Sequence, residues 1–167
     1  MAVLLLADML DGELNLDQTA KALTAAIQLG EVTVLCASSN CDKAATEIAS
    51  LEGVNEVLVA DNFMYGKSLA EPISQLIAAL GKDFTHIIAA ATALGKNIMP
   101  RAAALLDVMI ISHNTEVISK DTIQMLKQND KPEKSGKPEK SDKPEKPEKS
   151  DKSDKPETVS YTHLTLP

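Results

Sequence analysis

Four near-continuous apolar runs, Val3 to Ala7, Val32 to Ala37, Glu56 to Ala60 and His86 to Ala90, constrain this chain more than any other feature. Each has strand length, and none shows the strict alternation of a half-exposed strand. That is the pattern of parallel strands covered on both faces. Between and after them, Asp17 to Leu29, Cys41 to Leu51, Gly66 to Leu80 and Asn97 to Leu106 are rich in Ala, Leu, Lys and Glu, a helical composition. Strand–helix alternation with right-handed crossovers predicts an α/β fold, a doubly wound three-layer domain around a parallel sheet. A fifth strand is expected from Val108 to Ile111 and another from Glu116 to Ser119.

Local punctuation agrees with this division. Ser38-Ser39-Asn40 can cap the second helix, Gly30 can end the first, and Gly53 and Gly81 follow the next two. Pro72 falls inside the third helical pattern, where an interior proline costs about 3 kcal/mol, so a break or a new first turn near Glu71 is expected. About 120 residues bury roughly two-thirds of their unfolded surface, enough for one independent core.

The rest of the chain has another character. From Lys131 to Lys155, Lys recurs at every third position in Lys-Pro-Glu, Lys-Ser-Gly and Lys-Ser-Asp triplets. No aliphatic or aromatic side chain there can offset the entropy of ordering the backbone, so residues 128–157 are expected to form a disordered low-complexity tail. Nine Lys face nine Asp or Glu between Asp130 and Glu157, which leaves no net basic patch for nucleic acid. Residues 158–167 change character again. They resemble a translated sequencing adapter and are set apart from the 1–127 domain. The formal charge of −7 therefore belongs to the head, an acidic surface poorly suited to phosphate backbones. The Val3 to Ala7 run is too short for a signal-peptide core or a membrane span, and a cytoplasmic setting is expected.

Ligands of open α/β sheets bind beyond the carboxyl ends of the strands, at the switch in strand order. The candidates there are Asp8, Asp61 and the Thr92 to Lys96 turn. Thr92 can accept from amides, Gly95 permits close backbone approach, and Lys96 adds positive charge beside a helix start, so with Asp8 they could surround an anion or a nucleotide. Thr92 or Asn97 as a cap, Gly95 as a turn residue and Pro100 in the first helical turn explain the same letters without a ligand. Asp8 and Asp61 can equally end their strands through side-chain turns. Arg101 can anchor an ion pair, either across a subunit interface or within the domain. Cys36 and Cys41 have neither a redox nor a metal spacing, and His86 and His113 lack clustered partners. No nucleotide-loop, nucleophile-elbow or metal-binding His motif is present, and Phe63, Tyr65 and Phe84 are too few for a stacking platform.

Thr92, Gly95-Lys96-Asn97, Pro100-Arg101 and Ala103 to Asp107, with Leu4 to Asp8, Asp11 to Leu14, Val57 to Asp61, Leu69 to Pro72 and Thr85 to Ile87, resemble the N-terminal domain of the electron transfer flavoprotein alpha subunit. The likeness starts at Val3 and fades after about Ile123. It implies a Rossmann-like fold of the adenine nucleotide alpha hydrolase type. In this family flavin adenine dinucleotide (FAD) sits on a second domain, on a Gly- and Ser-containing signature ending in Gln-His that this sequence does not contain. The resemblance therefore implies no catalytic residue, no metal and no FAD-contacting residue in this chain. For a complete member it implies pairing with a beta subunit, electrons taken from acyl-CoA-type dehydrogenases of fatty acid β-oxidation, and delivery to a quinone oxidoreductase. The related beta subunit binds adenosine monophosphate, whereas the alpha domain resembles a copy used for packing. The alternative is a free-standing adenine-nucleotide-binding module of the same superfamily, built on Asp8, Thr92, Gly95 and Lys96.

Overall fold

The computed structural model describes residues 1–119, 122–125 and 161–165. The expected low-complexity tail, 128–157, lies outside the described residues. The four apolar runs become β1 (Ala2–Leu6), β4 (Glu31–Ser38), β5 (Val54–Asp61) and β6 (His86–Ala90), with a small hairpin of β2 (Met9–Leu10) and β3 (Glu13–Leu14) after β1. The helices are α1 (Leu16–Ile27), α2 (Asp42–Ala49), α3 (Ala70–Leu80) and α4 (Ala93–Leu106). Strands β7 (Ile110–Ser119), β8 (Thr122–Met125) and β9 (Tyr161–Thr165) complete the described strands, and short 3-10 turns lie at Phe63–Tyr65 and Gly81–Asp83.

The main sheet has the order β5-β4-β1-β6-β9-β7-β8. Its first four strands are mutually parallel, with Leu4 opposite both Thr33 and Ile87. The chain winds outward through β4 and β5, then returns to place β6 on the other side of β1. The switch in strand order therefore lies between β1 and β6.

Period-two geometry sends alternate residues of these strands into opposite layers. Val3, Leu5, Val32, Val34, Ile88 and Ala90 pack with Ala22, Leu23 and Ala26 of α1 and with Ala44 and Ile48 of α2. Leu4, Leu6, Leu35, Ile87 and Ala89 pack with Ile73 and Ile77 of α3 and with Ile98, Met99 and Ala102 of α4. Both faces of β1 and β6 are thus buried, which is why those runs are continuous rather than alternating. Each fully buried Leu or Ile contributes roughly 1.5–3 kcal/mol of transfer free energy.

Several boundaries differ from the sequence expectation, each for a physical reason. Helix α4 begins at Ala93 rather than Asn97, because Thr92 in an extended conformation accepts from the Gly95 amide through Oγ1 at 3.3 Å. Gly95 is consequently a helical residue and not a turn, and Pro100 stands inside the helix rather than in its first turn. Pro100 leaves the Lys96 carbonyl without its usual donor four residues on. Helix α2 is not capped by Ser38, Ser39 or Asn40, and its N-cap, Cys41, makes no side-chain cap. Instead the Asp61 carboxylate reaches across from β5 and accepts from the Asn40 and Cys41 amides at 2.9 and 3.1 Å. Pro72 does lie in a first turn, since α3 starts at Ala70 after a short 3-10 turn at Phe63–Tyr65. The two short strands expected after Val108 are one longer strand, β7, paired antiparallel with β8. Tyr161–Thr165, from the adapter-like stretch set apart above, forms β9 within the main sheet, while 158–160 and 166–167 lie outside the described residues.

Candidate functional site

The carboxyl ends of β1 and β6 bring Asp8 and Thr92 together at the switch in strand order. Asp8 is only 8% exposed. Its carboxylate accepts from Thr92 Oγ1 at 2.8 Å through Oδ1 and from Asn15 Nδ2 at 3.0 Å through Oδ2. Its backbone amide donates to Thr19 Oγ1 at 3.1 Å, and its carbonyl accepts from the Asn15 amide at 2.8 Å. Thr92 is thereby a relay: its hydroxyl hydrogen goes to Asp8, and its oxygen caps α4 through Gly95. Hydrogen bonds to an ionised group are the stronger class, about 1.5–3 kcal/mol each, so this cluster ties β1, β6 and the starts of α1 and α4 to one another.

Gly95 is buried, and a Cβ there would collide with the Ala90 carbonyl oxygen. Its missing side chain lets α4 lie directly on the end of β6. Lys96 is exposed; its amide donates to the Thr92 carbonyl at 3.0 Å. Of the four candidates, Asp8, Thr92 and Gly95 converge, and the Lys96 side chain stands apart. Asn15 and Thr19 belong to the cluster but were not singled out from sequence; Asn15 immediately before a helical run was the signal available for it.

Beside this cluster is an open depression of about 400 Å³ lined by Asp8, Leu10, Glu13, Leu14, Asn15, Thr92, Ala93 and Leu94. Two carboxylates and no cation line it. That donor set does not fit a dinucleotide diphosphate, because the dipole of the α4 N-terminus is already opposed by Asp8 and Glu13.

Arg101 Nη1 lies 2.8 Å from Glu71 Oε1, joining α4 to α3 through a pair in which both side chains are about half exposed. Such a pair contributes up to about 1 kcal/mol. Glu71 also borders a second depression, about 650 Å³, walled by Phe63, Met64, Leu69 and Pro72 with Ser39, Lys67 and Gln75 at its edges. Phe63 is 89% exposed at that surface.

Both cysteines are buried free thiols. Burial, followed by the neighbouring Cys41 and then Asp61, pushes the Cys36 thiol up to about 12. A thiol so held is not a nucleophile near neutrality. His86 is buried, with Nδ1 2.9 Å from Thr85 Oγ1. Among the described residues, no cluster of His, Cys, Asp and Glu could hold a metal ion, and no helix is long and apolar enough to cross a membrane.

The winding and the helix layers define a Rossmann-like α/β domain whose polar groups at the sheet's switch point are engaged with one another. A family model described as the electron transfer flavoprotein domain matches residues 3–131, and the chain belongs to that family. Across 124 residues it is 51% identical to the electron transfer flavoprotein subunit alpha of Paracoccus denitrificans, covering 74% of this chain and 40% of that protein. The alpha subunit of Pseudomonas aeruginosa is 43% identical over 129 residues, with the same coverages, and that of Bradyrhizobium diazoefficiens is 46% identical over 125. The chain thus spans about two-fifths of the curated relatives it matches, and the matched region is an alpha-subunit N-terminal domain.

Proposed function

We propose that residues 1–127 are the scaffold arm of an electron transfer flavoprotein alpha subunit, an electron carrier component with no catalytic residues of its own. The carrying observation is the Asp8–Thr92–Asn15 cluster: at the one place where this fold holds ligands, the polar groups bind each other and the lining is acidic. Flavin in the complete assembly is then held outside this domain. Electrons pass from acyl-CoA-type dehydrogenases through that flavin to a quinone oxidoreductase, in the bacterial cytoplasm. The domain's part is rigidity and contact with a beta subunit. The apolar depression around Phe63, Met64 and Leu69, bordered by Glu71, the ion-pair partner of Arg101, suits such a contact.

Co-expression with an electron transfer flavoprotein beta subunit tests the reading. A complex that survives gel filtration and is lost in Phe63→Asp supports it, and two independently eluting chains would contradict it. The free-standing nucleotide module draws on the same depression beside α4. A ligand at 100 times its dissociation constant raises stability by about 2.7 kcal/mol, so adenosine monophosphate leaving the melting curve unmoved removes that alternative.

A further inference from the structure

Counting thioether sulfur among the possible metal ligands brings one further cluster into view, on the α1 and α2 side of the sheet. Cys36 on β4, Cys41 at the start of α2 and Met9 on the β2–β3 hairpin are each at most 1% exposed. Cys36 Sγ lies 3.9 Å from Met9 Sδ. The Cys41 thiol is close enough to Cys36 to hydrogen-bond with it, and its sulfur stands 3.8 Å from the Cys36 carbonyl oxygen. The two cysteines show no metal spacing along the chain because the third sulfur comes from a separate segment. With metal–sulfur bonds of about 2.3 Å, the length zinc makes to thiolate, a trigonal plane sets its sulfurs about 4.0 Å apart. The Met9–Cys36 separation is already that of two ligands sharing one ion.

Two other features converge on the same place. Ser38 follows Cys36 by two residues along β4 and so shares its face. Its hydroxyl is fully buried and, among the described residues, has no hydrogen-bond partner. A metal-bound thiolate is an acceptor that would satisfy it. Cys41 is the N-cap of α2 and makes no side-chain cap, and a helix N-terminus favours a thiolate over a thiol.

We propose that Met9, Cys36 and Cys41 form a trigonal, all-sulfur site for one Cu(I) ion. Two thiolates and a thioether are soft ligands of the kind that select Cu(I), whereas a structural zinc ion takes four tetrahedral ligands from Cys, His or carboxylate. Binding exchanges the two thiol protons for the metal and changes no oxidation state. The single net negative charge that results is offset by the Ser38 hydroxyl and the α2 N-terminus. Met9 reaches the cluster from a hairpin of two two-residue strands, which is marginal by itself, so lifting of that hairpin admits the ion. The site is independent of the scaffold reading above, since it requires neither flavin nor a beta subunit.

The test uses the full chain, reduced and kept free of oxygen, titrated with Cu(I) supplied in acetonitrile and then competed with bicinchoninate. The sequence holds only two cysteines, so a thiolate-to-copper band in the near ultraviolet reports on this pair alone. One Cu(I) per chain, a raised melting temperature and much weaker uptake of Zn(II) are expected. Met9→Leu conserves volume and keeps the fold, and is expected to weaken Cu(I) at least tenfold. Met64→Leu, at an exposed thioether, leaves the affinity unchanged. Equal affinities in these two variants, copper still held after Cys36→Ser with Cys41→Ser, Zn(II) held as tightly as Cu(I), or no uptake from acetonitrile overturns the proposal. A melting temperature lowered by copper also overturns it, because that marks ligation by the unfolded chain. Should the double cysteine variant fail to fold, Met9→Leu decides by itself.

Discussion

Gly95→Ala is informative because two accounts of this glycine give opposite signs. If Gly95 serves only the approach of a ligand, alanine improves α4, since Gly costs about 0.8–1 kcal/mol relative to Ala in a helix interior. In the structure the added Cβ meets the Ala90 carbonyl oxygen, a backbone atom that no rotamer change can move. Helix α4 must then lift from β6, loosening Ile98, Met99 and Ala102 against Leu4, Leu6 and Ile87. Overpacking of this kind costs about 1–3 kcal/mol, and parting the helix from the sheet adds a cavity term of the same order. Set against the propensity gain, the net is a loss of about 1–5 kcal/mol. Urea unfolding followed by circular dichroism reads it as a lower midpoint at unchanged slope. A melting temperature lower by several degrees accompanies it. Equal or greater stability of Gly95→Ala would refute the packing account.

The Asp8–Thr92 bond should appear in a double-mutant cycle. Asp8→Asn and Thr92→Val each destabilise by about 1–3 kcal/mol, and together by less than their sum, by at least about 0.5 kcal/mol; strict additivity in urea melts would show the bond to be idle. The buried Ser38 hydroxyl oxygen has no hydrogen-bond partner, so Ser38→Ala is expected to be neutral or to raise stability by up to about 1 kcal/mol, and a loss above that would reveal an unrecognised partner. Cys36 is held protonated up to about 12, against an ordinary thiol near 8.5. A raised folded-state value stabilises the protein fully below the unfolded value and loses that contribution as pH climbs from about 9 toward 12. Cys36→Ala should flatten that alkaline decline, and an unchanged pH profile would contradict the assignment.

The sheet was legible because burial on both faces leaves an unbroken aliphatic signature, and β6 was located to the residue. Helix starts were less legible, because their caps are not local. Asp61 caps the start of α2 from twenty residues downstream, and no reading of Ser38-Ser39-Asn40 could reveal it. Gly95 looked like a turn because glycine at the end of a strand usually is one, and its actual role depends on how closely α4 approaches the Ala90 carbonyl. The candidate site was half legible. Asp8 and Thr92 followed from strand order, while Asn15 and Thr19 enter only when α1 folds back beside β1. Tyr161–Thr165 was hidden for another reason: its residues carry no aliphatic pattern, and only its pairing with β6 and β7 marks it as a strand.

Equilibrium dialysis of the purified chain against FAD tests most directly whether these layers are a support rather than a flavin carrier. The account predicts equal flavin on both sides of the membrane at every concentration up to many times that of the protein. Retention of one flavin per chain, reducible by dithionite while bound, would contradict it.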